Sequence, residues 1–310
     1  MSILAVWNDK GGIHVKYVYS LLVFLLALCF SVPVMANGAG HAYFGQQPGM
    51  YQSKTDYGNN LAAGAYVQSG DAKIYYEVYG KGSPVVLLHG GIVGNPAEMG
   101  ELADHLRQNH QVILLSTRGH GRSEIGTVLP TYQQKAADVH AVLRQLGIPQ
   151  ADVIGFSDGA YTAYFLDAAY PQEVRRLVAI GAGTWPKGFV QGGRKGMHTF
   201  RDVQDMDTAY WQQQLTKVRP EPERVNEWFA QTVAAYDQTV VDDEFLKTIT
   251  APTLVISGER DENAPLDTVI NAYRAIRQSE LAIIPGAPHP VLLTDFNIVW
   301  PMISQFIERV

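Results

Sequence analysis

Cysteine is nearly missing from these 310 residues: the chain has one, Cys29, inside its most apolar stretch. No disulfide, cysteine-ligated zinc or cysteine nucleophile is therefore available to a domain folded downstream of it. Charge is also sparse, at 17% of residues, and sums to −6. Without a basic excess the chain offers no electrostatic footprint for nucleic acid or an anionic membrane surface. No Gly-x-x-x-x-Gly-Lys-Ser/Thr is present and no Gly-x-Gly-x-x-Gly opens a helix, so no cofactor-cradling loop is expected. The nine histidines show no His-Glu-x-x-His or other paired spacing, and no metal is expected either. Internal repeats are absent. What is there is a hydrophobic fraction of 46%, enough for an ample core in one large domain or two small ones.

The N-terminus reads as an address. Lys10 and Lys16 precede an almost wholly apolar run from Tyr17 to Met35, which ends in Val34-Met35-Ala36. A weakly basic start, an apolar centre and a small-x-small ending describe a secretory signal cut after Ala36. The alternative is an uncleaved membrane anchor, since the run approaches the ~20 residues that span a bilayer. Cleavage would leave a cysteine-free mature chain, suited to an oxidising periplasmic or extracellular compartment. Residues 37–64, rich in Gly, Asn, Gln, Tyr and Ala, show neither helical nor strand period and read as a spacer.

From Ala65 onward strands and helices alternate. Ala65–Gln68 and Lys73–Tyr79 flank Ser69-Gly70-Asp71 as a hairpin. Val85–Leu88 and Val112–Leu115 are buried strands, with a helix over Pro96–Gln108 between them. Tyr132–Leu146 carries apolar residues at helical spacing and stops at Gly147. Val174–Ile180, Thr253–Ser257 and Leu281–Ile284 are further strands, and Asn297–Val310 a closing helix. This alternation predicts an α/β fold with a mostly parallel, doubly wound sheet, edged by the antiparallel hairpin. Between about 184 and 250 the strand period disappears and aromatic residues accumulate, among them Trp185, Trp211, Trp228 and Tyr236.

The chemistry is centred on Val153-Ile154-Gly155-Phe156-Ser157-Asp158-Gly159, a short apolar run that ends in Gly-x-Ser-x-Gly before a helical stretch, Ala160–Ala169. Taken alone, the two glycines could simply punctuate a strand–helix loop. Downstream, however, Gly258-Glu259-Arg260-Asp261-Glu262 follows one strand and Pro285-Gly286-Ala287-Pro288-His289 follows another. Upstream, Val85–Leu88 runs into His89-Gly90-Gly91. Each candidate stands just past the C-terminal end of its strand, where open α/β sheets place their sites.

In these four signals and their order the chain, from about Ala65 onward, resembles the serine-nucleophile α/β-hydrolases. The resemblance implies Ser157 as nucleophile, His289 as base and Asp261 as the acid that orients it. It implies oxyanion donors at the backbone N–H groups of Gly91 and Asp158, and a helical cap over the site from about 184 to 250. Glu259 and Glu262 flank Asp261, but the distance to Pro265 and the family pattern favour Asp261. His89 reads as a brace for the oxyanion loop, and His105, His110, His120 and His140 as structural or solvated. The loop Thr117–Ser123 resembles the family's Gly-rich loop at this point, with Arg118 and Arg122 tying loop carbonyls. Asp158 has two readings: a helix-start acid favoured by the helix dipole, or a pocket carboxylate that attracts a cationic substrate. The expected function is hydrolysis of a small ester, lactone or related acyl substrate through an acyl-enzyme, without cofactor. The competing class is a binding or sensing protein that keeps the fold without turnover.

Overall fold

The computed structural model describes residues 41–309; the apolar N-terminal run and its Ala36 boundary lie outside the described residues. Among the described residues eight strands form one sheet: β1 (Gly64–Ser69), β2 (Ala72–Tyr79), β3 (Ser83–Leu88), β4 (His110–Leu115), β5 (Ala151–Phe156), β6 (Val174–Ile180), β7 (Thr253–Gly258) and β8 (Ser279–Ile284). Their order is β1-β2-β4-β3-β5-β6-β7-β8. β1 pairs antiparallel with β2, and β2 antiparallel with β4, while every later pairing is parallel. The doubly wound sheet with an antiparallel edge is as the sequence predicts.

Strands covered on both faces should be apolar throughout rather than alternating. Val85-Val86-Leu87-Leu88 is fully buried for this reason. Val86, Leu88 and Val153 face one core with α2 (Tyr132–Leu146) and α3 (Asp158–Ala169). Val85, Leu87 and Ile154 face the other, with α1 (Gly100–Leu106) and the C-terminal helix. Local chemistry sets the helix limits. Thr131 accepts from the Gln134 N–H at the start of α2, and Gly147 ends it in the left-handed region at φ 66°. The helix expected over Pro96–Gln108 is split: Asn95 caps a 3₁₀ turn over Pro96–Met99, and α1 follows.

Between β6 and β7 the chain leaves the sheet for α4 (Phe200–Met206), α5 (Thr208–Gln213), α6 (Val225–Gln238) and α7 (Asp243–Leu246). A two-hydrogen-bond bridge between Trp185 and Val241 ties the start of this insertion to its end. Trp185, Trp211 and Trp228 are fully buried, so these large aromatics are packing. α8 (Leu266–Ala275), α9 (Val291–Thr294) and α10 (Phe296–Ile307) complete the chain.

The described part of the stretch read as a spacer is folded onto the domain. Tyr57 is fully buried, and the Tyr51 and Tyr57 hydroxyls each donate to Asp104 of α1 at 2.9 Å. Glu77 accepts the backbone N–H groups of Gly58 and Asn60 at 2.9 and 2.8 Å. Turns held by tertiary side-chain acceptors carry no periodicity, which is why the sequence shows none.

Candidate active site

The parallel register aligns strand ends. Leu88 pairs with Gly155, Gly155 with Ala179, and Ile180 with Ile256, so the loops after β3, β5, β6 and β7 emerge together. Ser157 stands on the turn after β5 at φ 53°, ψ −114°, a strained conformation for a residue with a side chain. The turn closes because its flanking residues are glycines. A Cβ on Gly155 would lie 2.3 Å from the Gly159 carbonyl oxygen, and one on Gly159 2.1 Å from that of Leu88.

The loop after β8 brings the His289 Nε2 to 2.9 Å from the Ser157 Oγ. On the other side of the ring, Nδ1 is 2.7 Å from the Asp261 Oδ2. A carboxylate can only accept, so Nδ1 carries the proton and Nε2 is free to accept from the serine hydroxyl. Asp261 is buried and fixed: its Oδ1 accepts from the Asn263 and Ala264 N–H groups at 2.8 and 2.7 Å, and Ser257 donates to Oδ2 at 3.3 Å. Its neighbours do not compete. Glu259 accepts from the Gly286 N–H at 2.7 Å, and Glu262 is exposed. Gly181 was not singled out from the sequence, yet it makes room for the pair: at φ 66°, its added Cβ would sit 3.0 Å from the imidazole.

Ser157, His289, Gly91 and Asp158 line one cavity of about 230 Å³. That is smaller than the roughly 300–1,000 Å³ of drug-sized ligand pockets, which suits a small substrate. Asp158 is the first residue of α3, so its N–H has no acceptor within the helix. On the facing loop Gly90 donates to the buried Glu98, while the Gly91 N–H has no acceptor among the described residues. Glycine suits this position, because a Cβ on Gly91 would lie 2.1 Å from the Tyr236 hydroxyl oxygen and 2.9 Å from the Asp158 Cβ. His89 does brace this loop. It is fully buried, donates from Nδ1 to the Gly90 carbonyl at 2.7 Å and accepts the Thr117 N–H on Nε2 at 3.0 Å. Burial lowers its pKa to about 4, so it stays neutral.

The side chain of Asp158 borders the cavity, but both its oxygens are engaged. Tyr132 donates to Oδ1 at 2.8 Å, and the buried Lys135 ammonium meets Oδ2 at 2.5 Å. Its charge is therefore matched from within the protein, and the arrangement lends no support to its attracting a cationic substrate. The sequence reading had passed over Lys135, although Tyr132, Lys135, Ala136 and Val139 stand at helical spacing on the buried face of α2. A lysine in an apolar stripe is the signal that would have found it. Glu98 was also missed; burial raises its pKa to about 8. Arg118 is structural: fully buried, it pairs with Asp138 at 2.8 Å and Asp71 at 2.5 Å and donates to the Ser69 carbonyl at 3.0 Å. Of the insertion's aromatics Tyr236 reaches the cavity, and Phe44 reaches it from the N-terminal stretch. Among the described residues no group of three or more His, Asp or Glu is placed to hold a metal.

Comparison with known proteins agrees with this architecture. A family model described as alpha/beta hydrolase fold matches residues 84–209, which includes the turn at Ser157. Over that stretch, and in the order of its strands, the chain is similar to proteins of the α/β-hydrolase fold. It is similar to a putative non-heme chloroperoxidase of Synechocystis, 26% identical over 76% of this chain and 95% of that protein. It is also similar to a 2-hydroxy-6-oxononadienedioate/2-hydroxy-6-oxononatrienedioate hydrolase of Pseudomonas putida, 25% identical over 71% of this chain and 86% of the relative. Among solved structures, the enol-lactonase of Burkholderia xenovorans shares the fold with a TM-score of 0.65 at 20% identity, over 79% of this chain and all of that one. These relatives support a hydrolytic enzyme of this fold over a binding protein without turnover.

Proposed function

We propose that this protein cleaves a small ester, lactone or related acyl substrate through an acyl-enzyme on Ser157. The observation that carries the proposal is the His289 imidazole, within hydrogen-bond distance of Ser157 on one side and of a buried, fixed Asp261 on the other. A serine hydroxyl is a poor nucleophile until a base accepts its proton. His289 takes that proton on Nε2 as Oγ adds to the substrate carbonyl carbon, and Asp261 stabilises the resulting imidazolium. The oxyanion faces the N–H groups of Gly91 and Asp158, a preorganised donor pair in which each donor is typically worth ~3–4 kcal/mol in the barrier. His289 then protonates the leaving oxygen as the carbon–oxygen bond breaks, and the acyl group remains on Ser157. Water, deprotonated by the same imidazole, attacks the acyl carbon, and His289 passes that proton to the Ser157 Oγ as its bond to the acyl carbon breaks and the acid leaves.

The test is turnover of 4-nitrophenyl esters by Ser157→Ala, His289→Ala and the double variant. Each single change should cost at least about a thousandfold in kcat, and the double variant should be scarcely worse, because the groups act as one unit. Additive losses, or substantial activity in Ser157→Ala, would overturn the assignment. We also propose export to the periplasm or medium after cleavage at Ala36, supported by the pattern of residues 10–36.

A further inference from the structure

The chemistry at Ser157 leaves one wall of its cavity unused. Gln191 and Arg194 reach that wall from the start of the insertion, and Asn263 reaches it from the loop that carries Asp261. Gln191 is buried, yet its side-chain amide has no hydrogen-bond partner among the described residues. Asn263 accepts the Gly193 N–H on Oδ1 at 2.5 Å, which leaves its NH₂ as a donor. Arg194 is 11% exposed and lies over the Tyr236 ring, with Cζ 5.0 Å from the centroid. Its Nη2 donates at 3.0 Å to Asp237, whose side chain is 58% exposed, but its Nη1 is buried without an acceptor among the described residues.

A buried guanidinium N–H without an acceptor is costly to keep, and in a binding cavity it calls for a partner from outside the chain. Of the acids at this site, Glu98 on the wall is kept protonated by burial and bonded to Gly90, and the others are already met. Asp158 is paired with Lys135, and Asp261 is hydrogen-bonded to His289. Arg194 is left as the cavity's cation, its single acidic partner lying out in solvent. A planar guanidinium matches a carboxylate with two parallel hydrogen bonds, and neutral amide donors beside it add acceptor-specific contacts without adding charge.

We propose that Arg194, with Gln191 and Asn263, forms a subsite for a carboxylate carried by the substrate away from its scissile carbonyl. The inference deepens the acyl-transfer reading of Ser157 and rests on it. The substrates are then small half-esters or lactone acids rather than wholly neutral esters.

The test compares 4-nitrophenyl half-esters of adipic and suberic acid with the same compounds methylated at the free carboxyl, as a ratio of kcat/KM. The wild-type enzyme should favour the free acid by about tenfold or more, the scale of one charge-assisted hydrogen-bonded contact. Arg194→Met should bring the ratio to near one, and Arg194→Lys should keep part of it. Should Arg194→Met not fold, Gln191→Leu should lower the ratio in the same direction. A ratio near one in the wild type, or one that Arg194→Met leaves unchanged, overturns the subsite. If the enzyme cleaves neither ester, the acyl-transfer reading fails separately. Calorimetric titration with monomethyl adipate then decides: binding lost in Arg194→Met upholds the subsite, and absent or Arg194-independent binding overturns it.

Discussion

Replacing Glu98 with glutamine should stabilise the protein, and should do so only as the pH rises. Glu98 is buried at the cavity wall, its Oε1 accepts the Gly90 N–H, and no cation among the described residues is paired with it. Burial raises its pKa from the ordinary 4.5 to about 8, with the nearby Asp158 charge pushing the same way. Below about pH 4.5 the folded and unfolded chains both hold the proton, and the group costs nothing. Between 4.5 and 8 the unfolded chain releases it while the folded chain keeps it, so stability falls by about 1.4 kcal/mol per pH unit. The loss is about 3 kcal/mol at pH 7, and it levels off near 5 kcal/mol above pH 8. Glutamine keeps the acceptor for Gly90 and cannot ionise, so Glu98→Gln removes the whole term. Urea denaturation at pH 5, 7 and 8.5 reads the difference. We expect a gain under about 1 kcal/mol at pH 5 and about 3 kcal/mol at pH 7. The same ionisation brings a negative charge beside the oxyanion loop, so wild-type kcat/KM should fall above about pH 8 and Glu98→Gln should lose that limb. A variant less stable than wild type at pH 7, or a gain that does not change with pH, would show that folded Glu98 is ionised and refute the reasoning.

Two further outcomes follow from other parts of the molecule. Lys135→Met leaves the Asp158 carboxylate buried without its cation and should cost about 3–5 kcal/mol, measured by urea denaturation; adding Asp158→Asn should recover much of the loss, and additive losses would mean that the pair is not coupled. Intact mass of the protein from a fractionated host should correspond to residues 37–310 in the exported fraction, whereas a chain that still carries Leu21–Phe30 would mean an anchor.

The sheet was legible because a strand buried on both faces must be apolar along its centre, as Val85–Leu88 and Leu254–Ile256 are. The turn at Ser157 was legible because two steric limits, at Gly155 and Gly159, force glycine on either side of Ser157. Asp261 and His289 could be placed because each stands just past the C-terminal end of its strand, the buried β7 for one and the edge strand β8 for the other. Other parts of the site have no local signature. Glu98 and Lys135 acquire their meaning only from burial beside residues far away in sequence. Arg194 and Gln191 lie in a stretch rich in Gly and Lys, where the sequence offers no period to say which side chains turn inward. Phe44 sits in a turn whose Gly45 N–H donates to Asp207, and such turns leave no pattern in the residues that form them.

The claim on which the account depends is that Ser157 is the activated nucleophile. Intact-mass spectrometry after reaction with a fluorophosphonate, followed by peptide mapping, measures it directly. The account predicts one adduct per chain on Ser157, none on Ser157→Ala, and labelling slowed by about a hundredfold or more in His289→Ala, where no base takes the proton. No adduct on the folded wild-type enzyme, or equal labelling of wild type and Ser157→Ala, would contradict it.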